Sequence, residues 1–452
     1  MTLAAAAGPV SPLPAHGLLV FLVQVVVLLL SARLLGELAS RLGMPTIIGE
    51  LLAGVLLGPS VLAHLAPAVS GWLFPPQAEQ QHLLDAVGQF GVLLLVGLAG
   101  MQLDLHRFRE RLPMAMKVST AGLLVPLAIG VGIGWFAPTP LRPASTSPAV
   151  FAMFMGIAIC VSAIPVIAKT LMELKLTHRN VGQLILTASM FDDAVGWFLL
   201  SIVSAVATQG LGAETVFTSL GALCGIVVFA MVIGRPLVRT VLRRADASDD
   251  PGKVTAAVVV LLMVSAAATQ SMGLEAVFGT FLCGVLIGSS GVRLNALAPL
   301  NTVVMSVFAP LFFATAGLRM DLSALATVPL LLAALVVLVL AIAGKFVGAF
   351  IGGALSGLTR RESVAVGAGM NARGVIEVVI AIVGLRLGVL GTEAYTILVL
   401  VAVATSLMAP PILRRAMAGS EVTEEEEVRE QRTLTLTQLR GPDAAPPQRA
   451  AG

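Results

Sequence analysis

The chain has 452 residues, 57% of them apolar and only 12% charged, with a formal net charge of +3. Water-soluble domains carry about 25% charged residues, so a soluble fold of this length is excluded, and a mean hydropathy of +0.96 places the chain in a bilayer. No Gly-x-x-x-x-Gly-Lys-[Ser/Thr] loop for nucleotide phosphates occurs. No nucleophile–base pair or metal constellation stands out either, which leaves no support for enzyme activity, a cofactor or a nucleic-acid partner.

Residues 1–14 are rich in Ala and Pro and are expected to be disordered. Apolar stretches of about 20 residues, the length that crosses a hydrocarbon core, then predict thirteen spans. They fall near 17–38, 46–63, 84–102, 115–136, 149–172, 181–208, 213–240, 254–271, 275–290, 300–318, 326–355, 363–386 and 391–412. The first is too long for a signal-peptide core and has nothing basic before it, so it reads as a span. Residues 416–452 change character, with Glu424 to Glu427 followed by a Pro/Ala-rich end, and read as a disordered cytoplasmic tail.

Charge assigns the sides. Arg107, Arg109, Arg111, Arg239, Arg243 and Arg244 typify the cations of one set of alternating loops, whereas only Arg142, Arg319 and Arg386 fall in the other set. By the positive-inside rule the amino terminus faces out and the carboxyl terminus faces the cytoplasm. That requires an odd number of spans. Cys160, Cys224 and Cys283 show no metal spacing and read as buried structural thiols.

Two short motifs recur. Gly54-Val55-Leu56-Leu57-Gly58 returns as Gly284-Val285-Leu286-Ile287-Gly288, offset by 230 residues. Ala99-Gly100-Met101-Gln102-Leu103-Asp104-Leu105 returns as Ala316-Gly317-Leu318-Arg319-Met320-Asp321-Leu322, offset by 217. The charge pattern puts Asp104 inside and Asp321 outside. Spans 1–6 and 8–13 are thus expected to be inverted-topology repeats joined by span 7, the architecture of secondary transporters.

Five charges lie at membrane depth: Asp192 and Asp193 in span 6, Lys345 in span 11, and Arg373 and Glu377 in span 12. Facing lipid, each would cost about 2.5–3.5 kcal/mol on the insertion scale, so they must face one another or a cavity. The aspartates read as an ion or proton site. Arg373 and Glu377, spaced i,i+4, either fasten their helix or touch the ion's path. Two spans look interrupted at matching places, at Ser162-Ala163-Ile164-Pro165 and at Asn371-Ala372-Arg373-Gly374. Proline removes a backbone donor, and unwound backbone at the midplane frees carbonyls and amides for ions.

On these residues the chain resembles the bacterial monovalent cation/proton antiporters, the branch of sodium/proton and potassium/proton exchangers. The likeness covers about residues 17–415 and rests on Gly49-Glu50-Leu51-Leu52-Ala53-Gly54 through Ser60, the Ser162–Pro165 break, Asp192-Asp193, Gly344-Lys345, and Asn371–Gly374 followed by Glu377. The resemblance implies a homodimer. Its dimer domain would be the helices of 17–102 and 254–318, its linker the helix of 213–240, and its core the helices of 115–208 and 326–412. The core would carry the ion by an elevator-type shift, with Asp193 holding ion or proton and Asp192 paired with Lys345, a combination that favours electrogenic exchange.

The function expected is exchange of a monovalent cation, with sodium ahead of potassium or lithium, for protons across the bacterial inner membrane. Potassium/proton exchange or potassium efflux is the alternative in transport, and a channel or a non-transporting sensor the alternative outside it.

Overall fold

The computed structural model describes residues 14–101, 112–138, 140–210, 221, 223–247, 250–291, 297–419 and 422–427, and helices account for nearly all of them. The expected disorder at 1–13, Asp104 with its loop, and the tail beyond 427 lie outside the described residues.

The first bundle opens with α1 (Ala15–Arg41) and α2 (Thr46–Leu57), followed by two short helical segments and α3 (Ala78–Met101). Every fourth residue of α1 from Leu18 to Leu38 is exposed, while Val20, Gln24, Leu28 and Ala32 are buried. A helix apolar on its outer face as well as its inner one is built for lipid. The second bundle begins with α4 (Leu112–Trp135), α5 (Pro148–Cys160), α6 (Ile164–Glu173) and α7 (Asn180–Gln209). Helix α8 (Leu223–Asp246) leads back to α9 (Pro251–Ser271), α10 (Ala276–Gly288) and α11 (298–318), in which Val304–Phe308 winds as a π-helix. The chain then returns through α12 (Val328–Leu355), α13 (Arg360–Met370), α14 (Val375–Arg386) and α15 (Thr392–Met417). Local chemistry sets several of these starts. The Ser147 hydroxyl accepts from Val150 N–H to open α5, Asp250 caps α9, and Thr359 with Glu362 forms a reciprocal capping box at α13.

By length and composition ten of the described helices can cross a membrane, or eleven if α13 and α14, bent by 42°, make one span. Thirteen is not reached on this measure. Helices α5 and α10 have 13 residues each, a rise of about 20 Å against a hydrocarbon core of about 30 Å.

Helices α1, α2, α3, α9, α10 and α11 pack together, and so do α4–α7 with α12–α15. The inverted repeat is written in glycine contacts. A Cβ on Gly54 would lie 2.0 Å from Ala314 O, and one on Gly284 would lie 2.2 Å from Gly97 O. Likewise Gly317 would meet Leu51 O at 2.1 Å and Gly100 would meet Phe281 O at 2.5 Å. Applying the two sequence offsets converts the α2–α11 crossing into the α10–α3 crossing, atom for atom. The α1–α2 and α9–α10 hairpins share the relation, since both turn on a glycine with positive φ, Gly43 at +73° and Gly273 at +77°. At such an angle any Cβ is strained.

Three expectations need correction. Cys224 is exposed, because α8 packs on one side only. The helix around span 7 continues to Asp246, past the expected end at 240. Val238 and Leu242 are buried at i,i+4 while Arg235, Arg239, Arg243 and Arg244 point outward, so the arginines sit on the helix and not in a loop. Finally, part of the supposedly disordered tail is placed. Residues 424–427 make a helical turn in which Glu426, only 3% exposed, accepts from the Asn180 N–H at 2.6 Å and pairs with Arg179 at 3.2 Å. Charge seats this turn at the start of α7, where no apolar periodicity could have signalled it.

Candidate functional site

The site forms where the breaks between α5 and α6 and between α13 and α14 cross. Ala163 N–H donates to Ala372 O at 3.3 Å, and the Ser162 hydroxyl oxygen lies 2.8 Å from Met370 O, so a backbone hydrogen bond joins the two breaks. Pro165 occupies the first turn of α6, where a missing N–H does no harm. Gly374 lies against Val166, whose Cγ2 would be 2.6 Å from any Cβ there. The Ile164 N–H, at the head of α6, faces Asp193.

Helix α12 reaches the crossing because its neighbours let it come close. Gly348 would place a Cβ 2.5 Å from Ala121 O, and Gly352 one 2.6 Å from Val118 Cα, so α12 and α4 touch backbone to backbone. The contact drives Lys345 into the interior at 0% exposure. Its ammonium donates to Asp192 Oδ2 at 2.5 Å and to Cys160 O at 2.5 Å, the latter a carbonyl freed by the end of α5. Ser162 donates to the same Oδ2 at 2.8 Å, and Ser119 of α4 donates to Oδ1 at 2.6 Å. Asp192 is thereby fully occupied.

Asp193 is not. It is 4% exposed, and its Oδ1 has no hydrogen-bond partner among the described residues. It borders a cavity of about 20 Å³ with Trp197, Ala163, Val375 and Ile376 on one side and Leu95, Val96 and Ala99 of α3 on the other. That is room for a single water or a bare monovalent cation. The two aspartates therefore differ in what surrounds them: one serves an ion pair, the other faces an opening between the bundles.

Arg373 and Glu377 are both fully buried and pair at 3.1 Å. Arg373 also donates to Ala341 O at 3.0 Å, and the Ser406 hydroxyl donates to the Arg373 carbonyl. The guanidinium thus fastens α12 and the second break, and it contributes no lining to the Asp193 cavity. Asn371 donates to Ile342 O at 3.5 Å. The break residues Ser162–Pro165 and Asn371–Gly374, with Asp192, Asp193, Lys345 and Glu377, thus fall at or beside the crossing. Ser119 and Ser406 were missed: a hydroxyl in a membrane helix is commonplace, and nothing in one sequence separates these two from Ser201 or Thr208. Among the described residues, no cluster of three or more His, Cys, Asp or Glu could hold a resident metal.

A buried ion pair beside an unpaired carboxylate, held by two broken helices inside inverted repeats, defines a secondary transporter for small ions. The chain belongs to the monovalent cation/proton antiporters: residues 25–419 match the family described as sodium/hydrogen exchanger, transmembrane. It is 32% identical over 403 residues to the Na(+)/H(+) antiporter NhaS4 of Synechocystis sp., covering 88% of this chain and 97% of that protein. It is 26% identical to the Na(+)/H(+)-K(+) antiporter GerN of Bacillus cereus, covering 89% and 97%. Against Cation/H(+) antiporter 20 of Arabidopsis thaliana it is 32% identical, covering 86% of this chain and 47% of the plant protein, so it spans about half that relative's length. The fold matches the sodium proton antiporter MjNhaP1 of Methanocaldococcus jannaschii, with a TM-score of 0.63 at 18% identity over 89% of this chain and 98% of that one.

Proposed function

We propose that this antiporter exchanges sodium for protons across the bacterial inner membrane, electrogenically, as a homodimer whose α4–α7 and α12–α15 bundle shifts against the other. The observation that carries the reading is the unequal solvation of Asp192 and Asp193. Only Asp193 has an oxygen turned to a cavity, so only there do a proton and a desolvated cation compete for one carboxylate. Asp192 and Lys345 supply the second proton: if the lysine releases its proton during turnover, two protons move against one cation, and one net charge crosses. At 100 mV that charge is worth about 2.3 kcal/mol.

The seam between the bundles supports a shift. At the Asp321 end it is tied by Arg386 to Glu275 at 2.7 Å, Tyr395 to Ala316 O at 2.7 Å, and the Asp321 N–H to the Thr396 hydroxyl at 3.1 Å. At the arginine-rich end it opens into a cavity of about 260 Å³ between Leu42–Pro45 and the Ser406–Arg414 stretch. With the carboxyl terminus in the cytoplasm, the parted end of the seam is the cytoplasmic one. Potassium remains the alternative ion, on the strength of the two cations in the GerN name.

The test is proteoliposomes holding a pH-sensitive dye, challenged in turn with sodium, lithium and potassium. Sodium should dissipate an imposed proton gradient at the lowest concentration, and Asp193→Asn should cut that flux below about a tenth of wild type while leaving the protein folded. Brisk exchange by Asp193→Asn would refute the assignment.

A further inference from the structure

Hydroxyls on the described helices mostly bond back to their own helix. On α7, Thr187 donates to Gln183 O, Ser189 to Ile185 O and Ser201 to Trp197 O, the usual resort of Ser and Thr in a helix interior. Ser119 does otherwise. It is 3% exposed, its hydroxyl leaves α4 altogether, and it meets Asp192 Oδ1 at 2.6 Å, the shortest of the hydroxyl bonds to that carboxylate. Among the described residues it is also the sole donor to Oδ1, since Ser162 and Lys345 both address Oδ2.

We propose that Ser119 is a positioning residue for the ion pair: by holding Asp192 Oδ1 it fixes the carboxylate so that Oδ2 alone meets Lys345, and it sets how readily the lysine gives up its proton. The proposal rests on the coupling role given above to Lys345. The charged groups around Asp192 are Lys345 from α12, Asp193 on its own helix, and Arg373 and Glu377 from the second break. Ser119 is the neutral member of the set, so replacing it alters no charge count. Its hydroxyl draws electron density from the carboxylate. Without it Oδ1 is buried and bare, more negative charge gathers at Oδ2, and the ammonium is gripped more firmly. Any step in which Lys345 releases a proton then becomes harder.

The experiment compares Ser119→Ala, Ser119→Thr and Ser119→Cys in the full chain, reconstituted, reading sodium-driven proton flux from pH 5.5 to 9.5 (a range on the order of the carboxylate-to-lysine interval). Ser119→Ala should move the half-maximal pH upward by about half to one unit, a change of about 3- to 10-fold in proton concentration. Ser119→Thr, which keeps the hydroxyl, should overlay wild type, and Ser119→Cys, a weak donor, should fall between them. An Ala profile that overlays wild type, or a Thr profile displaced as far as Ala, overturns the proposal. If Ala fails to fold, the Cys variant decides: an unshifted profile counts against it. Infrared absorption of the ionised carboxylates reads the hydrogen bond without transport. The Ser119→Ala minus wild-type difference should contain a band shift that disappears in an Asp192→Asn background. A flat difference sinks the Ser119 assignment by itself, whereas a clear band with voltage-independent exchange removes only the coupling role of Lys345.

Discussion

Asp192 and Asp193 are adjacent in the chain and about 100° apart around α7, and that rotation gives them separate surroundings. Asp192 has two hydroxyl donors and a cation 2.5 Å away; Asp193 has an opening. Removing one partner of a buried pair strands the other and is typically destabilising by about 3–5 kcal/mol. Asp192→Asn and Lys345→Gln should each lower the melting temperature of the purified protein, and the double variant should recover part of the loss. The double variant should still exchange through Asp193, but with a rate that no longer follows an imposed membrane potential. A voltage response equal to wild type would take the pair out of the coupling. The charged residues were legible in the sequence because a charge inside an apolar stretch is conspicuous. The geometry that tells the two aspartates apart was not, since it depends on which neighbour α4 and α12 press against them. Ser119 illustrates the limit: its partner is 73 residues away, and its type is ordinary.

Between elements, contact is made through glycine. The four crossing glycines, Gly54, Gly100, Gly284 and Gly317, leave no space for a methyl group, and each faces backbone. Overpacking typically destabilises by about 1–3 kcal/mol. Gly54→Ala and Gly284→Ala should therefore weaken the fold comparably, being equivalent under the repeat, while Gly132→Ala on α4, which has nothing within 4 Å, should be silent. Thermal melting in detergent checks all three, and a silent Gly284→Ala would break the equivalence. These crossings explain what the sequence disclosed of the fold. A small residue at a backbone contact admits few replacements, so Gly54 and Gly284 kept their identity and the motif could be read twice. The span count was harder to read, because α10 is apolar enough for a membrane helix but only 13 residues long. It packs on α3, a contact that a hydropathy window does not sense. The Glu426 turn was invisible for the opposite reason, as it docks by hydrogen bonds and charge.

At the scale of the molecule, the two bundles are held at one end of their seam and parted at the other. In the proposed shift the ties at the Asp321 end break in each cycle, and they would bias the equilibrium toward the form described here. Glu275→Gln should weaken the Arg386 tie and raise the opposite form. Accessibility of a cysteine placed at Thr396 to an impermeant thiol reagent should increase, and unchanged labelling would show the tie to be idle. The Glu426 turn carries its own prediction. Burial raises the Glu426 pKa, but the Asn180 and Thr423 N–H groups and Arg179 outweigh it and bring it below the ordinary 4.5. A lowered carboxylate pKa stabilises docking above the unfolded value and loses that contribution as pH falls through the folded one. Docking should thus be indifferent to pH through the neutral range and fail only below about 4.5. A spin-label distance between residues 424 and 178 would report it, and release near pH 6 would contradict the assignment.

That turn fastens the chain beyond α15 to the first residue of α7, and both helices belong to the bundle that carries the site. If that bundle shifts as proposed, the turn seated there rides with the cargo. A protein or surface that gripped the chain beyond residue 427 would be pulling on the carriage itself, not on its rails. Such a grip would act as a brake, adding drag to each stroke while leaving the ion's fit in its cavity untouched.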